Sequence, residues 1–324
     1  MLNTSPNNDW DVNVNGSTDY RRHTNNDSTN DEIPSTPTAR RDRIVLLLDV
    51  YETRQQHGYL SIAIAILQTI ILIMMMVECG VAPIKINPMV GPYPEALSYW
   101  GAKNSYFIVQ DGEYWRLASP AFLHAGIFHL VGNISVQLET CDFFEREWGS
   151  AIWLAIYLTS SVGAMIGSTC FMPGVLSVGS SGAIMGIFGA KISEILCRSC
   201  ESRDTVQGKV GHAIRRHQLV LVLGGAVIVM LFSFLPFVDW AAHLGGLLTG
   251  IAVGFIIFSC YAEYTIRRFL WFVVGVAMTS ALFASTLVYM SKEVVPDERL
   301  ADVCAYYQEF FDNYDCSCAR GLDD

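Results

Sequence analysis

Seven apolar runs dominate this 324-residue chain, at roughly 59–78, 120–140, 151–172, 181–197, 217–236, 239–259 and 269–290. Each is about as long as a helix must be to cross the hydrocarbon core of a bilayer. Lipid offers the backbone no hydrogen-bond partners, so a spanning segment must satisfy its own N–H and C=O groups, as a helix does. Only 16% of the residues are charged, 52% are hydrophobic and the mean hydropathy is +0.33, a balance foreign to soluble domains. These features predict an all-α, polytopic membrane helix bundle.

The flanks differ. Residues 1–42 hold eight Asn with Asp, Ser and Thr and almost nothing apolar, so a disordered segment is expected. The segment has no continuous apolar run and no small-residue cleavage site, unlike a signal peptide. Its acids, Asp9, Asp11, Asp19, Asp27, Asp31 and Glu32, argue against a mitochondrial presequence. Residues 43–56 leave two readings open, a short helix on the membrane surface or a plain juxtamembrane linker. With the N-terminus in the cytosol, 15 of the 21 Lys and Arg residues fall in inner segments and 6 in outer ones, as the positive-inside rule prefers. Seven spans then put the C-terminus outside. The tail, 291–324, carries nine acidic residues. The net charge of −10 comes with no basic patch for nucleic acid, so none is expected as a partner.

Polar groups within a bilayer are costly and face the bundle interior or a water-filled cavity. The second run reads FLHAGIFHLVGNISVQ, with His129 and Asn133 on one helix face and His124 five residues before His129. The fourth begins at Ser181, within SVGSSGAIMG, and the sixth, FVDWAAHLGGLLTG, carries His243. On this topology all three runs travel from outside to inside, so these groups meet at a similar depth. A serine hydroxyl becomes a nucleophile when a base takes its proton, and His243 is the candidate base. His129, Asn133 and the Ser181 N–H are candidate donors to an oxyanion. Gly179 and Gly182 would let backbone and substrate approach closely. Gly182–Gly186 and Gly246–Gly250, each four apart, would let two membrane helices pack tightly. Singly, each element has a bland reading: a packing motif, an interhelical hydrogen bond, an interfacial histidine. Matched depth on three helices favours a site.

These residues resemble the rhomboid intramembrane serine proteases, over about 59–260. Trp115-Arg116 resembles the family's first-loop Trp-Arg element, and His124 with His129–Asn133 its histidine-asparagine helix. Glu145 to Gly149 is similar to its Glu-x-x-x-Gly element, Gly179 to Gly182 to Gly-x-Ser-Gly, and Ala242 to Gly250 to Ala-His-x-x-Gly-x-x-x-Gly. NPMVGPYPEAL, at 87–97, is similar to the first loop of eukaryotic secretory-pathway members. The resemblance implies a Ser181–His243 dyad in a six-helix core with a cavity open to the outer side. It implies cleavage of single-pass membrane proteins in or near their transmembrane segments, with small residues before the cut and helix breakers beyond it. No metal and no cofactor is expected. A nucleophile in the fourth span and an extra span after the core match the secretory-pathway plan of six plus one. The expected organisation is an N-terminal segment at 1–56, a catalytic core at 57–260, a seventh span within 261–290 and an outer tail at 291–324, in a secretory-pathway or plasma membrane.

Two positions depart from that pattern. Met185 stands where many members have an aromatic beside the catalytic histidine. Asp239, four residues before His243, could orient its ring, although an N-cap is the preferred reading. Lys191 and Glu194 read as a structural pair. Two other functions share parts of this pattern: an inactive, client-binding relative, which loss of Ser or His would mark, and a transporter, which would continue the polar path across the membrane. Below Ser181 the fourth run stays apolar until Lys191. Cys141, Cys197, Cys200 and Cys260 fall on the reducing side and are expected free, and Cys170 is expected to be packed. Cys316 or Cys318 is expected to pair with Cys304 or Cys79, with free tail thiols as the competing reading.

Overall fold

The first long helix, α1 (Tyr59–Cys79), buries Ser61, Ile64, Ala65, Gln68, Leu72, Met75 and Cys79, which return to one face every three or four residues, with Ile64 and Ala65 side by side. Its other face exposes Ile62, Ile66, Ile70, Ile73 and Val77, all apolar. A helix that turns its Ser61 and Gln68 inward and shows an apolar face outside is built for lipid. The structure is a computed structural model that describes residues 53–201, 206–233, 238–311, 314, 316 and 318. The expected N-terminal segment, with most of 43–56, lies outside the described residues.

Among the described residues ten more α-helices follow: α2 (Pro94–Tyr99), α3 (Ser105–Val109), α4 (Ile127–Val136), α5 (Asp142–Trp148), α6 (Ser150–Phe171), α7 (Ser181–Cys197), α8 (Val206–Phe232), α9 (Trp240–Phe258), α10 (Thr265–Lys292) and α11 (Val303–Gln308). Among the described residues there is no strand, only an isolated antiparallel bridge between Lys103 and Ser177. The chain is an all-α, polytopic bundle.

Five described helices are long and apolar enough to cross a membrane alone: α1, α6, α8, α9 (with its following turn, to Tyr261) and α10. The other two expected spans take different forms. The second starts at Ile127 rather than near 120, as α4, and its last turn, Gln137–Cys141, is π-helical and leads into α5. Gln137 is fully buried there and donates to Ser61 O at 2.9 Å. The fourth, α7, has 17 residues, about 25 Å of rise. It is buried along most of its length, so its neighbours supply the apolar surroundings that a lone helix would need from lipid.

Close packing places α7 against α9. A Cβ on Gly246 would lie 2.0 Å from Gly182 O, and one on Gly250 would lie 1.9 Å from Gly186 O. Only glycine permits this approach. Ser181 precedes Gly182, and His243 lies one turn before Gly246, so the same contact brings the two functional side chains together.

The end of the bundle remote from Ser181 is fastened by charge. Lys191 Nζ lies 2.7 Å from both Glu147 and Glu194. Trp148 Nε1 donates to Glu194 at 2.9 Å, Gln218 to Glu147 at 3.1 Å, and Arg198 to Glu194 at 3.2 Å. The expected Lys191–Glu194 pair is thus part of a network joining α5, α7 and α8. Beside it, Glu145 accepts from Leu60 N at 2.9 Å and from Ser61 N and Oγ, each at 2.7 Å. It thereby caps α1, whose own N-cap position is Gly58. Gly149 (φ +88°) turns the chain from α5 into α6 in a conformation other residues avoid.

At the opposite end, the long loop between α1 and α4 is held by buried polar side chains. Arg116 donates to Ser98 O at 2.6 Å, pairs with Glu113, and has its guanidinium 4.5 Å from the Trp115 ring centre. Asn87 donates to Pro92 O at 2.8 Å and Ala125 O at 2.7 Å. Lys103, fully buried, donates to Met172 O at 2.8 Å and Val175 O at 2.7 Å. Burial pushes its ammonium down to about 8, with Asp239 opposing. The tail closes over this loop: Cys79 bonds to Cys318 and Cys304 to Cys316, while Tyr314 donates to Glu95. Both expected tail cysteines are therefore in disulfides. Cys141, Cys170, Cys197, Cys200 and Cys260 are free, and Cys170 is buried.

Candidate active site

Ser181 is the first residue of α7, where the backbone N–H groups of a helix have no partner within it. Its Oγ lies 2.7 Å from His243 Nε2 on α9. That is hydrogen-bond distance between a candidate nucleophile and its base. His243 sits in the first turn of α9, and Asp239 caps that helix by accepting from Ala242 N at 2.9 Å. Asp239 also accepts from Ser168 and Ser177. Its carboxylate is occupied in holding α6, the 177 segment and α9 together, as befits the N-cap reading.

Gly179 (φ +116°) lets the chain turn into Ser180 and Ser181. A Cβ there would lie 2.7 Å from His129 Cε1, 2.8 Å from its Nε2 and 3.2 Å from Asn133 Nδ2. The side chains of His129 and Asn133 therefore press against the backbone just before the nucleophile. Asn133 Nδ2 is buried and has no hydrogen-bond partner among the described residues. His124 stacks edge-on against His129 with ring centres 5.2 Å apart, and both its ring nitrogens are likewise buried without a partner. A buried donor without a partner costs stability. That of Asn133 lies against Gly179, two residues before Ser181.

The α4 helix that carries His129 and Asn133 is capped by the preceding loop. Ile127 N donates to Val90 O at 2.9 Å and Phe128 N to Met89 O at 3.2 Å. The NPMVGPYPEAL stretch thus sets the start of the His129–Asn133 helix. Met185, one turn beyond Ser181, is fully buried in the core. Trp115, Arg116, Glu145 and Gly149 lie away from the Ser–His pair and serve the loop and α1 contacts described above.

Sequence reasoning missed one contact of His243. Its second nitrogen, Nδ1, lies 2.5 Å from Ser233 Oγ, just past the end of α8. Ser233 is a lone hydroxyl in LFSFLPF, ten residues from His243 across a connection between helices. No spacing rule links such positions.

The fold and site define a multi-pass helical membrane protein with a hydrogen-bonded Ser–His pair sunk into one end of its bundle. Residues 111–260 match the family model described as Rhomboid domain. The chain is 36% identical over 178 residues to "RHOMBOID-like protein 6, mitochondrial" of Arabidopsis thaliana, covering 54% of each chain. It is 33% identical over 174 residues to "RHOMBOID-like protein 1" of the same plant, covering 54% of this chain and 42% of that one. To "Rhomboid-like protease 2" of Toxoplasma gondii it is 31% identical over 178 residues, covering 54% and 57%. Over residues 111–260, a little under half of its length, the chain is thus similar to the rhomboid domain. The matches span about half the length of these curated relatives.

Proposed function

We propose that the chain is an intramembrane serine endopeptidase that cuts single-pass membrane proteins within or beside their transmembrane segments. The observation that carries this reading is the 2.7 Å contact between Ser181 Oγ and His243 Nε2, made possible where the Gly182 and Gly246 backbones touch. In this mechanism Ser181 attacks the scissile carbonyl as His243 takes its proton. The negative charge that develops on the carbonyl oxygen is met by the Ser181 N–H at the helix start and by side-chain donors of His129 and Asn133. His243 then protonates the departing amine, and water activated by the same imidazole releases the acyl-enzyme. His124 and Gly179 support the donor side of the site.

The Toxoplasma relatives carry "protease" in their names, and both dyad side chains are present here, which favours catalysis over a client-binding role. A helical substrate hides its peptide bonds, so it must unwind locally before they can be attacked. Small residues before the cut and helix breakers beyond it ease that step. On the charge asymmetry the N-terminus is cytosolic, and the site opens to the outer or luminal side of a secretory-pathway or plasma membrane. The core runs over 57–260, with the seventh span and outer tail after it.

The test is cleavage of a single-pass reporter in membranes of a host without rhomboids. Wild type should release the outer fragment and Ser181→Ala should not. Equal cleavage by Ser181→Ala would defeat the proposal.

A further inference from the structure

Ser233 Oγ has two close partners besides its own backbone: His243 Nδ1 at 2.5 Å and Val229 O, one turn back on α8, at 2.7 Å. A hydroxyl has one proton to give. A carbonyl oxygen can only accept, so the contact with Val229 takes that proton. Ser233 must then meet Nδ1 with a lone pair, and Nδ1 must bring the hydrogen. A neutral imidazole carries a single N–H. With it on Nδ1, Nε2 is left bare and faces the Ser181 hydroxyl at 2.7 Å. One directed chain results: Ser181 O–H to His243 Nε2, His243 Nδ1–H to Ser233 Oγ, and Ser233 O–H to Val229 O. It ends on the backbone of a third helix.

We infer that Ser233 is a positioning residue that fixes the tautomer and ring orientation of His243, so that the basic nitrogen faces the nucleophile. This rests on reading Ser181 and His243 as the catalytic pair. In serine triads a carboxylate holds the far nitrogen of the histidine. Here the nearby carboxylate, Asp239, is occupied by Ala242 N, Ser168 and Ser177. A neutral hydroxyl from α8 takes the position instead. It orients the ring without adding a counter-charge, so its contribution should be smaller than a carboxylate's. Ser233 itself is buried, which shields the contact from water. Its backbone N–H also donates to Val229 O at 3.0 Å, so the end of α8 keeps its turn without the hydroxyl.

The experiment compares wild type, Ser233→Ala and Ser233→Thr in two measurements. In steady-state reporter cleavage, Ser233→Ala should lower kcat about tenfold, the scale of one lost hydrogen bond, with KM and melting temperature unchanged. Thr, which keeps the hydroxyl, should recover most of the rate. In 15N-histidine NMR, with His243 assigned by its absence in His243→Ala, wild type should show one form protonated at Nδ1, and Ser233→Ala a mixture of tautomers. The spectrum is also read on Ser181→Ala protein, so it tests the contact even if that serine proves not to be the nucleophile. A wild-type kcat in Ser233→Ala, or an unchanged tautomer signal, would overturn the inference.

Discussion

The two ends of the bundle handle buried polar groups in opposite ways. At the charged end, Lys191, Glu147, Glu194, Arg198, Trp148 and Gln218 bind one another through charge-assisted contacts. At the site end, Ser181, His243 and Ser233 form a thin chain of hydrogen bonds, while among the described residues Asn133 Nδ2 and both nitrogens of His124 are without partners. The charged end is arranged to hold helices together. The site end leaves donors unspent, which costs stability and suits a group that arrives from outside. Removing a side chain should therefore cost mainly stability at one end and mainly rate at the other.

The largest effect should come from His243→Ala. Losing the base of a serine protease costs on the order of 10⁶ in kcat, so reporter cleavage should fall to background. The melting temperature of the purified protein should stay near wild type. A large fall in melting temperature would mean that the site end carries stability too.

Lys191→Met should do the reverse. It leaves Glu147 and Glu194 buried without their shared cation, and breaking such a pair costs about 3–5 kcal/mol. Denaturation in detergent should report the loss, while the kcat of the folded fraction stays within a fewfold of wild type. Replacing Lys191, Glu147 and Glu194 together by apolar residues of similar volume should recover much of the stability. If the triple variant is no better than the single one, the network is held by more than charge pairing.

Asn133→Ala tests the unspent donors. Loss of one oxyanion donor costs about 10²–10³ in turnover, roughly 2.7–4 kcal/mol. Because Nδ2 has no partner in the resting site, the melting temperature should hardly change. Kinetics and calorimetry on the same preparation decide the point. An unstable variant with normal turnover would make Asn133 part of the scaffold.

The smallest effect concerns Glu145, at the charged end. Burial alone pushes its carboxyl up, but hydrogen bonds from Ser150, Leu60 and Ser61 together hold it below the ordinary value of 4.5. A carboxyl whose value is lower in the folded protein adds stability that is fully present above the unfolded value and fades as pH falls through the folded one. The melting-temperature gap between wild type and Glu145→Gln should thus be widest near neutral pH and narrow below about 4.5. A gap independent of pH would assign Glu145 a purely steric role.

How much of this was legible in the sequence follows the range of each interaction. Apolar runs located α1, α6, α9 and α10 closely, because a membrane helix is dictated residue by residue by its solvent. The second run differs: its α-helix starts only at Ile127 and its last turn is π-helical. Nothing local marks the π segment at Gln137–Cys141, where Gln137 reaches across to Ser61. Ser181, His243, His129 and Asn133 were found because each sits among glycines or other polar residues inside lipid-like sequence. Asp239 was found as a cap because capping is local. Lys191–Glu194 was visible at a spacing of three, but Glu147, the third member, comes from another helix. Ser233 was invisible for the same reason: its role exists only where α8 and α9 meet.

The central claim is that Ser181 is made nucleophilic by His243 across the α7–α9 contact. A fluorophosphonate that reacts with activated serines, followed by peptide mass mapping, tests it without any substrate. The account predicts a phosphonylated Ser181 peptide in wild type and its loss in His243→Ala. An adduct on another serine, or equal labelling of Ser181 with and without His243, would contradict it.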